Sequence, residues 1–362
     1  MKKILLWSLL IIVFLGVAGF TYIYKKLKQD IPVPPLSEVS SIADIVAPYM
    51  TNEMTKGLSI GTYQNGQVAF HNFGVASDKN PVLPTEKSIY EIGSITKTFT
   101  GTVLAALAVE GKVKYNDPIS KFLPDSVCNW SADKSITLEE LATHTSGLPR
   151  IPNNLMKSLF TDIDNPYRNY GTEELYAFLK EYEPKAKTKR KNEYSNLGFG
   201  LLGHILATVN QTTFEEMMTQ HIFQPLAMNQ SSAVDNNNLI QGHDALGQPI
   251  SQWDFQALAG AGAIRSSVTD MMQYLQANIE EKTPFQAAQI PRKAMNDFQK
   301  IGLGWISQQN DDLSFTWHNG GTGGYRTFMG FSKDQQVGVV VLSNATQSVD
   351  GIGVRTLEFL AK

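Results

Sequence analysis

EIGSITKTFTG (residues 91–101) sets a serine and a lysine three positions apart at the mouth of an apolar run. Phe99, Val103, Leu104, Leu107 and Val109 continue that run, and Gly111 in VEGKV stands where a C-terminal cap belongs. The pattern predicts a helix starting at Ser94. Positions three apart on a helix share a face, with about 5–6 Å between Cβ atoms, so Lys97 can reach the Ser94 hydroxyl. A helix N-terminus disfavours a cation, and apolar surroundings lower a lysine's pKa by penalising its charged form. A hydroxyl becomes a nucleophile when a base takes its proton. The placement that is poor for a lysine cation therefore suits a lysine base. Ser-x-x-Lys by itself is a weak signal. It recurs at Ser131 and Lys134 in SADK, a polar stretch that reads as solvated loop. For a single copy, the bland reading is a helix cap plus a snorkelling lysine.

Working outward, the chain reads as α/β (α+β). SEVSSIADIVAPYM (37–50) is helical in pattern, and LSIGTYQNGQVAFHNFGVA (58–76) reads as two strands around Asn65-Gly66, a strong hairpin signal. Residues 113–250 read as mostly helical and loop-like. VTDMMQYLQANI (268–279) is a helix. IGLGWIS (301–307), LSFTWHNG (313–320), YRTFMGFS (325–332) and QVGVVVLSNA (336–345) are four successive short strands, hence antiparallel, and VDGIGVRTLEFLAK (349–362) is a closing helix. The expectation is one antiparallel sheet built from both chain ends and flanked by helices, with a mostly helical inserted subdomain.

The composition bounds the function. The 362 residues are 42% hydrophobic and 18% charged, with a net charge of −3, which suits one large domain or two interleaved ones. No clustered basic face suggests a nucleic-acid partner. Cys128 is the only cysteine, so an internal disulfide and a cysteine metal cage are excluded; its plain reading is a small buried apolar residue. His71, His204, His221 and His243 lack metal-ligand spacing, and Gly-x-Ser-x-Gly is absent around Ser94. Neither a metal nor a cofactor is expected, and an α/β-hydrolase elbow is not either.

The first 30 residues read as a membrane anchor or signal segment. Lys2 and Lys3 precede 21 uncharged residues, Ile4 to Tyr24, and Lys25, Lys26 and Lys28 follow. Such a run spans about 31 Å as a helix, close to the roughly 30 Å of a hydrocarbon core. A cleaved secretory signal, cut near Val17-Ala18-Gly19, is the alternative. Residues 31–37, within IPVPPLSEVS, read as a stiff extended linker, and residues 38–362 as the main domain.

Two further stretches give the serine and lysine company. NEYSNLGFGLLGHIL places Tyr194, Ser195 and Asn196 before a glycine-interrupted apolar helix, and TWHNGGTGGYRTFMGF places His318, Asn319 and Gly320 at a strand end. With Ser-x-x-Lys, these form Tyr-x-Asn and His-x-Gly in order. The chain resembles the serine β-lactamase and penicillin-binding protein family, in its class C β-lactamase and DD-carboxypeptidase-like branch. LATHTSGLPR (141–150) and LAGAGAIRSSVTDMMQYL (258–275) also look like family stretches, and the resemblance covers roughly residues 40–360.

The resemblance implies a β-lactamase/transpeptidase-like fold and an acyl-enzyme. It makes Ser94 the nucleophile, Lys97 the group that assists its deprotonation, and Tyr194 a partner in proton transfer. Asn196 would bond the substrate amide, and the N–H groups of Ser94 and Gly321 would form the oxyanion hole. His318 replaces the lysine of most β-lactamases, a variant found more among peptidases and esterases. Thr322 and Arg326 lie close enough to the third motif to be expected at a substrate carboxylate, an inference from nearness alone. His144, ahead of Gly147 and Pro149, is expected to brace a helix end. The expected protein is a bacterial, membrane-anchored serine hydrolase with its catalytic domain outside the cytoplasm. Its substrate would be a D-alanyl peptide, a β-lactam or a small ester. The alternative is a penicillin-recognising sensor that is acylated without turnover.

Overall fold

Asn65 and Gly66, both at positive φ (48° and 87°), close a two-residue turn between β1 (Gly57–Gln64) and β2 (Gln67–Gly74). This mirror-image turn matches the twist of the strands it joins. The computed structural model describes residues 31–79, 81–128, 130–156, 158–234, 238–280, 283–310 and 313–362. The expected membrane or signal segment lies outside the described residues. Within them, no helix is long and apolar enough to cross a membrane.

The remaining strands are β3 (Ile89–Glu91), β4 (Gly242–His243), β5 (Pro249–Ile250), β6 (Arg265–Ser267), β7 (Lys293–Ala294), β8 (Gln299–Ile301), β9 (Ile306–Asn310), β10 (Leu313–Gly321), β11 (Arg326–Ser332) and β12 (Val337–Ser343). Among the described residues, eight strands form one sheet in the order β2-β1-β12-β11-β10-β9-β8-β7, all neighbours antiparallel. The two chain ends meet where β1 pairs with β12, Ile60 opposite Val341. The main helices are α1 (Ile42–Met50), α2 (Thr96–Val109), α3 (Thr172–Glu181), α4 (Asn196–Asn210), α5 (Val268–Ile279) and α6 (Asp350–Leu360).

Strand β12 shows why the sheet is central. Val337, Val339 and Val341 join Leu58, Ile60 and Phe328 in one cluster with residues of α1 and α6. The alternate residues Val340 and Leu342 join the larger cluster, with residues of α2, α4 and α5. Side chains of a strand alternate between faces, so a strand covered on both sides reads as a continuous apolar run.

Three details differ from the sequence reading. Helix α2 begins at Thr96, not Ser94; Ser94 sits in a 3-10 turn, Gly93–Ile95, whose glycine has φ +52°. IGLGWIS is not one strand but is split between β8 and β9. The break is steric: Gly304 has φ +86°, and a Cβ on Gly101 of α2 would meet the Leu303 carbonyl oxygen at 1.9 Å. Residues 303–304 are thus pressed onto the helix that carries Lys97. The stretch 31–37 is held against the domain. Ile31 and Val33 pack on the α1 and α6 cluster, and Lys362 Nζ donates to Leu36 O at 2.9 Å.

Candidate active site

Glycine makes the Ser94 turn possible. A Cβ on Gly93 would lie 2.6 Å from the Gly321 nitrogen, and one on Gly320 would lie 2.0 Å from the Ile92 carbonyl oxygen. The Ile92–Ser94 backbone is therefore seated directly on the end of β10, where no side chain fits between. Thr327 Oγ1 of the neighbouring β11 donates to Ile92 O at 2.9 Å and fixes the seat. This puts the backbones of Gly93-Ser94 and Gly321 side by side.

Lys97 is fully buried. Its Nζ lies 2.9 Å from Ser94 Oγ, 2.9 Å from Asn196 Oδ1 and 2.7 Å from Ala261 O. Burial, followed by the positive charge of Arg150, pushes its pKa well below the ordinary lysine value. The Ala261 carbonyl belongs to a turn packed on α4 at glycine contacts: a Cβ on Gly203 would meet Gly260 Cα at 2.8 Å. This explains the glycines that interrupt the helix.

Tyr194 lies beside Ser94. Loss of water raises its phenol pKa to about 12, while the nearby Ser94 hydroxyl and the Arg150 charge pull the other way. Lys97 Nζ is 4.9 Å from the centre of the Tyr194 ring. Asn196 starts α4; Ser195 caps it, accepting from Gly198 N–H at 2.8 Å.

The loop carrying Tyr194 rests on residues 144–150. Glu193 N–H donates to His144 O at 3.0 Å, and Asn196 N–H donates to Arg150 O at 2.9 Å. Ser195 N–H donates to His144 Nδ1 at 3.1 Å, and Ser195 Oγ donates to Pro149 O at 2.7 Å. His144 stands at φ +57°, two residues beyond a short helix, Leu138–Ala142, and its ring packs 4.4 Å from the Tyr194 ring, centre to centre. Because Nδ1 accepts, Nε2 carries the proton. Burial keeps this histidine neutral, with Lys97, His318 and Arg150 adding to the effect. In the sequence His144 reads as bracing a helix end, and nothing in its spacing ties it to Tyr194. Nor did any signal single out Arg150, whose guanidinium carbon lies 5.0 Å from the centre of the Tyr194 ring.

His318 and Gly320 share the face of β10 that meets the Ser94 turn. His318 is buried, with Nδ1 2.5 Å from Asn319 O. Burial first, and Lys97 next, lower its pKa to about 3. A neutral imidazole thus occupies the first position of the third motif. Thr322 and Arg326, expected at a substrate carboxylate, are engaged otherwise. Arg326 Nη1 donates to Thr322 O and Tyr325 O, both at 2.8 Å, bracing the turn after β10. Thr322 is buried, and its hydroxyl faces Glu91 in a poorly aligned contact.

Glu91 was not foreseen. It is buried three residues before Ser94, and its Oε1 accepts from Trp253 N–H at 2.6 Å. Burial raises its pKa to about 7, against smaller opposing pulls from Thr322, Trp253 and Arg265. The unfolded carboxyl titrates near 4.3. Between those values the folded chain holds a proton that the unfolded chain has lost. Stability from protonated Glu91 is therefore full below about 4.3 and lost as pH rises through about 7. Glu91→Gln keeps a neutral acceptor for Trp253. The urea midpoint of the native protein is expected to fall, relative to this variant, as pH rises from acid to neutral. A difference that does not change with pH contradicts this.

A cavity of about 650 Å³ lies elsewhere, around Phe298, Phe315 and Phe331, and none of the site residues borders it.

A family model described as Beta-lactamase matches residues 42–361. The chain is similar to a beta-lactamase of Pseudomonas fluorescens, 25% identical over 351 residues that cover 85% of this chain and 94% of that protein. It is 27% identical over 341 residues to the D-alanyl-D-alanine-carboxypeptidase/endopeptidase AmpH of Escherichia coli (strain K12), covering 85% of each. A beta-lactamase of Providencia stuartii is 28% identical over 244 residues, 66% of this chain and 59% of that protein. The antiparallel sheet with its flanking helices is the β-lactamase/transpeptidase-like arrangement. The chain therefore belongs to the serine β-lactamase and penicillin-binding protein family and is a serine hydrolase.

Proposed function

We propose that the protein cleaves an amide or ester through an acyl-enzyme on Ser94, acting on D-alanyl peptides, β-lactams or small esters. The observation that carries this reading is the set of three contacts around Lys97 Nζ. Asn196 Oδ1 and Ala261 O are carbonyl oxygens and can only accept. A neutral amine has two N–H bonds and one lone pair. Both N–H bonds go to the carbonyls, so the lone pair faces Ser94 Oγ and accepts its proton. As the Ser94 proton moves to Lys97, Oγ bonds the substrate carbonyl carbon, and the N–H groups of Ser94 and Gly321 receive the oxyanion. Such donors are worth about 10²–10³ in rate. Tyr194 stays protonated at neutral pH. It gives its proton to the leaving nitrogen or oxygen as that bond breaks, and Lys97 returns the proton to the phenolate. Asn196 holds Lys97 and offers its amide to the substrate, and Gly320 and the neutral His318 line the same edge. Water then releases the acyl group.

The homologous carboxypeptidase supports a cell-wall peptide as substrate. The uncharged run Ile4–Tyr24 supports a membrane tether, and a cell-wall substrate, met outside the cytoplasm, supports a catalytic domain, residues 38–362, on that side.

Burst kinetics on a chromogenic β-lactam and on a D-alanyl-D-alanine peptide test this reading. Repeated turnover of either, with a mass-spectrometric adduct on residues 91–101 during the reaction, is expected. One equivalent released and no more would mark a sensor instead. An adduct elsewhere would overturn the mechanism.

A further inference from the structure

Glu91 is a buried acid without a cation of its own. The groups that face it are Arg265 of β6, Asp254, the Tyr325 phenol, the Thr322 hydroxyl and the Trp253 N–H. Arg265 is engaged elsewhere: its Nη2 donates to Trp253 O at 2.8 Å and to Asp254 Oδ1 at 3.2 Å. A buried carboxylate without a paired charge is costly, so Glu91 holds its proton into the neutral range. A neutral carboxyl both accepts and donates. Oε1 accepts from Trp253 N–H at 2.6 Å, which leaves the acid O–H for the nearby Thr322 hydroxyl.

Both partners belong to one turn or lean on it. Thr322 directly follows Gly321, the last residue of β10. The Trp253 indole lies against Gly323, where a Cβ would be 2.7 Å from Nε1. The backbone of Thr322 is already fixed, since its N–H donates to Tyr325 O at 3.1 Å and its carbonyl accepts from Arg326 Nη1 at 2.8 Å. Glu91 adds a hold on its side chain. The strand that carries Glu91 runs straight into Ile92–Ser94, which rests on Gly320 and Gly321. One side chain therefore ties together the two backbone segments that bear the Ser94 and Gly321 N–H groups. Resting on the acyl-enzyme reading, we infer that Glu91 is a positioning residue for the oxyanion hole: through Thr322 and Trp253 it sets the Gly321 N–H against that of Ser94.

A donor aimed at a developing charge matters in the transition state and little in the ground state. Its loss from alignment should therefore lower the rate of acylation and spare the complex that precedes it. The test is made at pH 6, where Glu91 is protonated. Nitrocefin and p-nitrophenyl acetate acylate Ser94, and saturation of the acylation rate separates the rate constant from the dissociation constant of the first complex. Phenylboronic acid, which becomes a tetrahedral anion on Ser94 Oγ, reports the affinity for a transition-state shape. In Glu91→Ala the acylation rate constant and the boronate affinity should fall together, by about ten- to hundredfold, with the dissociation constant unchanged. Glu91→Gln keeps an acceptor and a donor and should stay close to the native protein. Thr322→Val should lose part of what Glu91→Ala loses and should add nothing to it in the double variant. A loss confined to the dissociation constant, or Thr322→Val adding its full effect in the double variant, would overturn the inference. If Glu91→Ala does not fold, Thr322→Val decides, and native acylation and boronate affinity in that variant would overturn the inference as well. In each case an adduct on Ser94 of the native protein leaves the acyl-enzyme reading intact. Failure of both substrates to acylate Ser94 in the native protein would overturn both.

Discussion

Ser94→Ala is expected to lose all covalent labelling and to lower turnover by about 10⁴–10⁶. The fold should survive. The hydroxyl is not part of the core, and Lys97 keeps its contacts with Asn196 and Ala261. The second Ser-x-x-Lys cannot take over. Ser131 Oγ donates to Asp133 at 2.7 Å, while Lys134 is paired with Glu183. That lysine is charged and solvated, and Glu183 raises its pKa, the opposite of what Lys97 experiences. Mass spectrometry after a fluorescent penicillin or phosphonate, a steady-state rate and a thermal melt check the prediction. Labelling that persists in the variant, or maps to Ser131, would exclude Ser94 as nucleophile.

Lys97→Met is expected to cost about 10²–10⁴ in kcat/KM, the usual contribution of a positioned proton acceptor. The pH profile separates chemistry from packing. With Lys97 acting as a neutral amine, activity is expected to rise with pH through its lowered pKa, and this limb should vanish in the variant. Stability follows the same sign. The folded pKa is depressed, so between that value and about 10.4 the unfolded chain holds a proton that the folded chain lacks. Stability rises with pH across that window in the native protein and should not in Lys97→Met. Met leaves the Asn196 and Ala261 oxygens without their donor, which costs about 1–3 kcal/mol at every pH. A variant that keeps the acid limb would show that another group titrates.

The legible parts of this chain are those in which a local pattern has a local cause. Asn65-Gly66 closes a hairpin because two positive φ angles suit those residues. Val337–Ser343 reads as a strand because both its faces are covered. Ser94 and Lys97 meet because a helical turn brings them together. Other parts depend on contacts distant in sequence. Ala261 supplies a carbonyl, which every residue has, so its identity carries no signal. His144 and Arg150 matter because their backbone carries the Tyr194 loop, and Glu91 because burial holds its proton. The break in IGLGWIS comes from Gly101, a residue on another element. Thr322 and Arg326 sat near the third motif in sequence, but their donors are turned toward the turn and Glu91.

The seat under Ser94, where Gly320 and Gly321 receive Ile92–Ser94, has a consequence for biosynthesis. Residues 92–94 leave the ribosome well before the strand they rest on, Leu313–Gly321. Strand β1 likewise waits for β12 before it stops being an edge. Pairings between chain ends are slow to form and leave strand edges uncovered in the meantime. A nascent chain therefore carries Ser94 and Lys97 without the backbone against which they are aligned. The Ser94 site is therefore expected to be assembled only once strands β10 to β12 are made and docked, and to be silent before then.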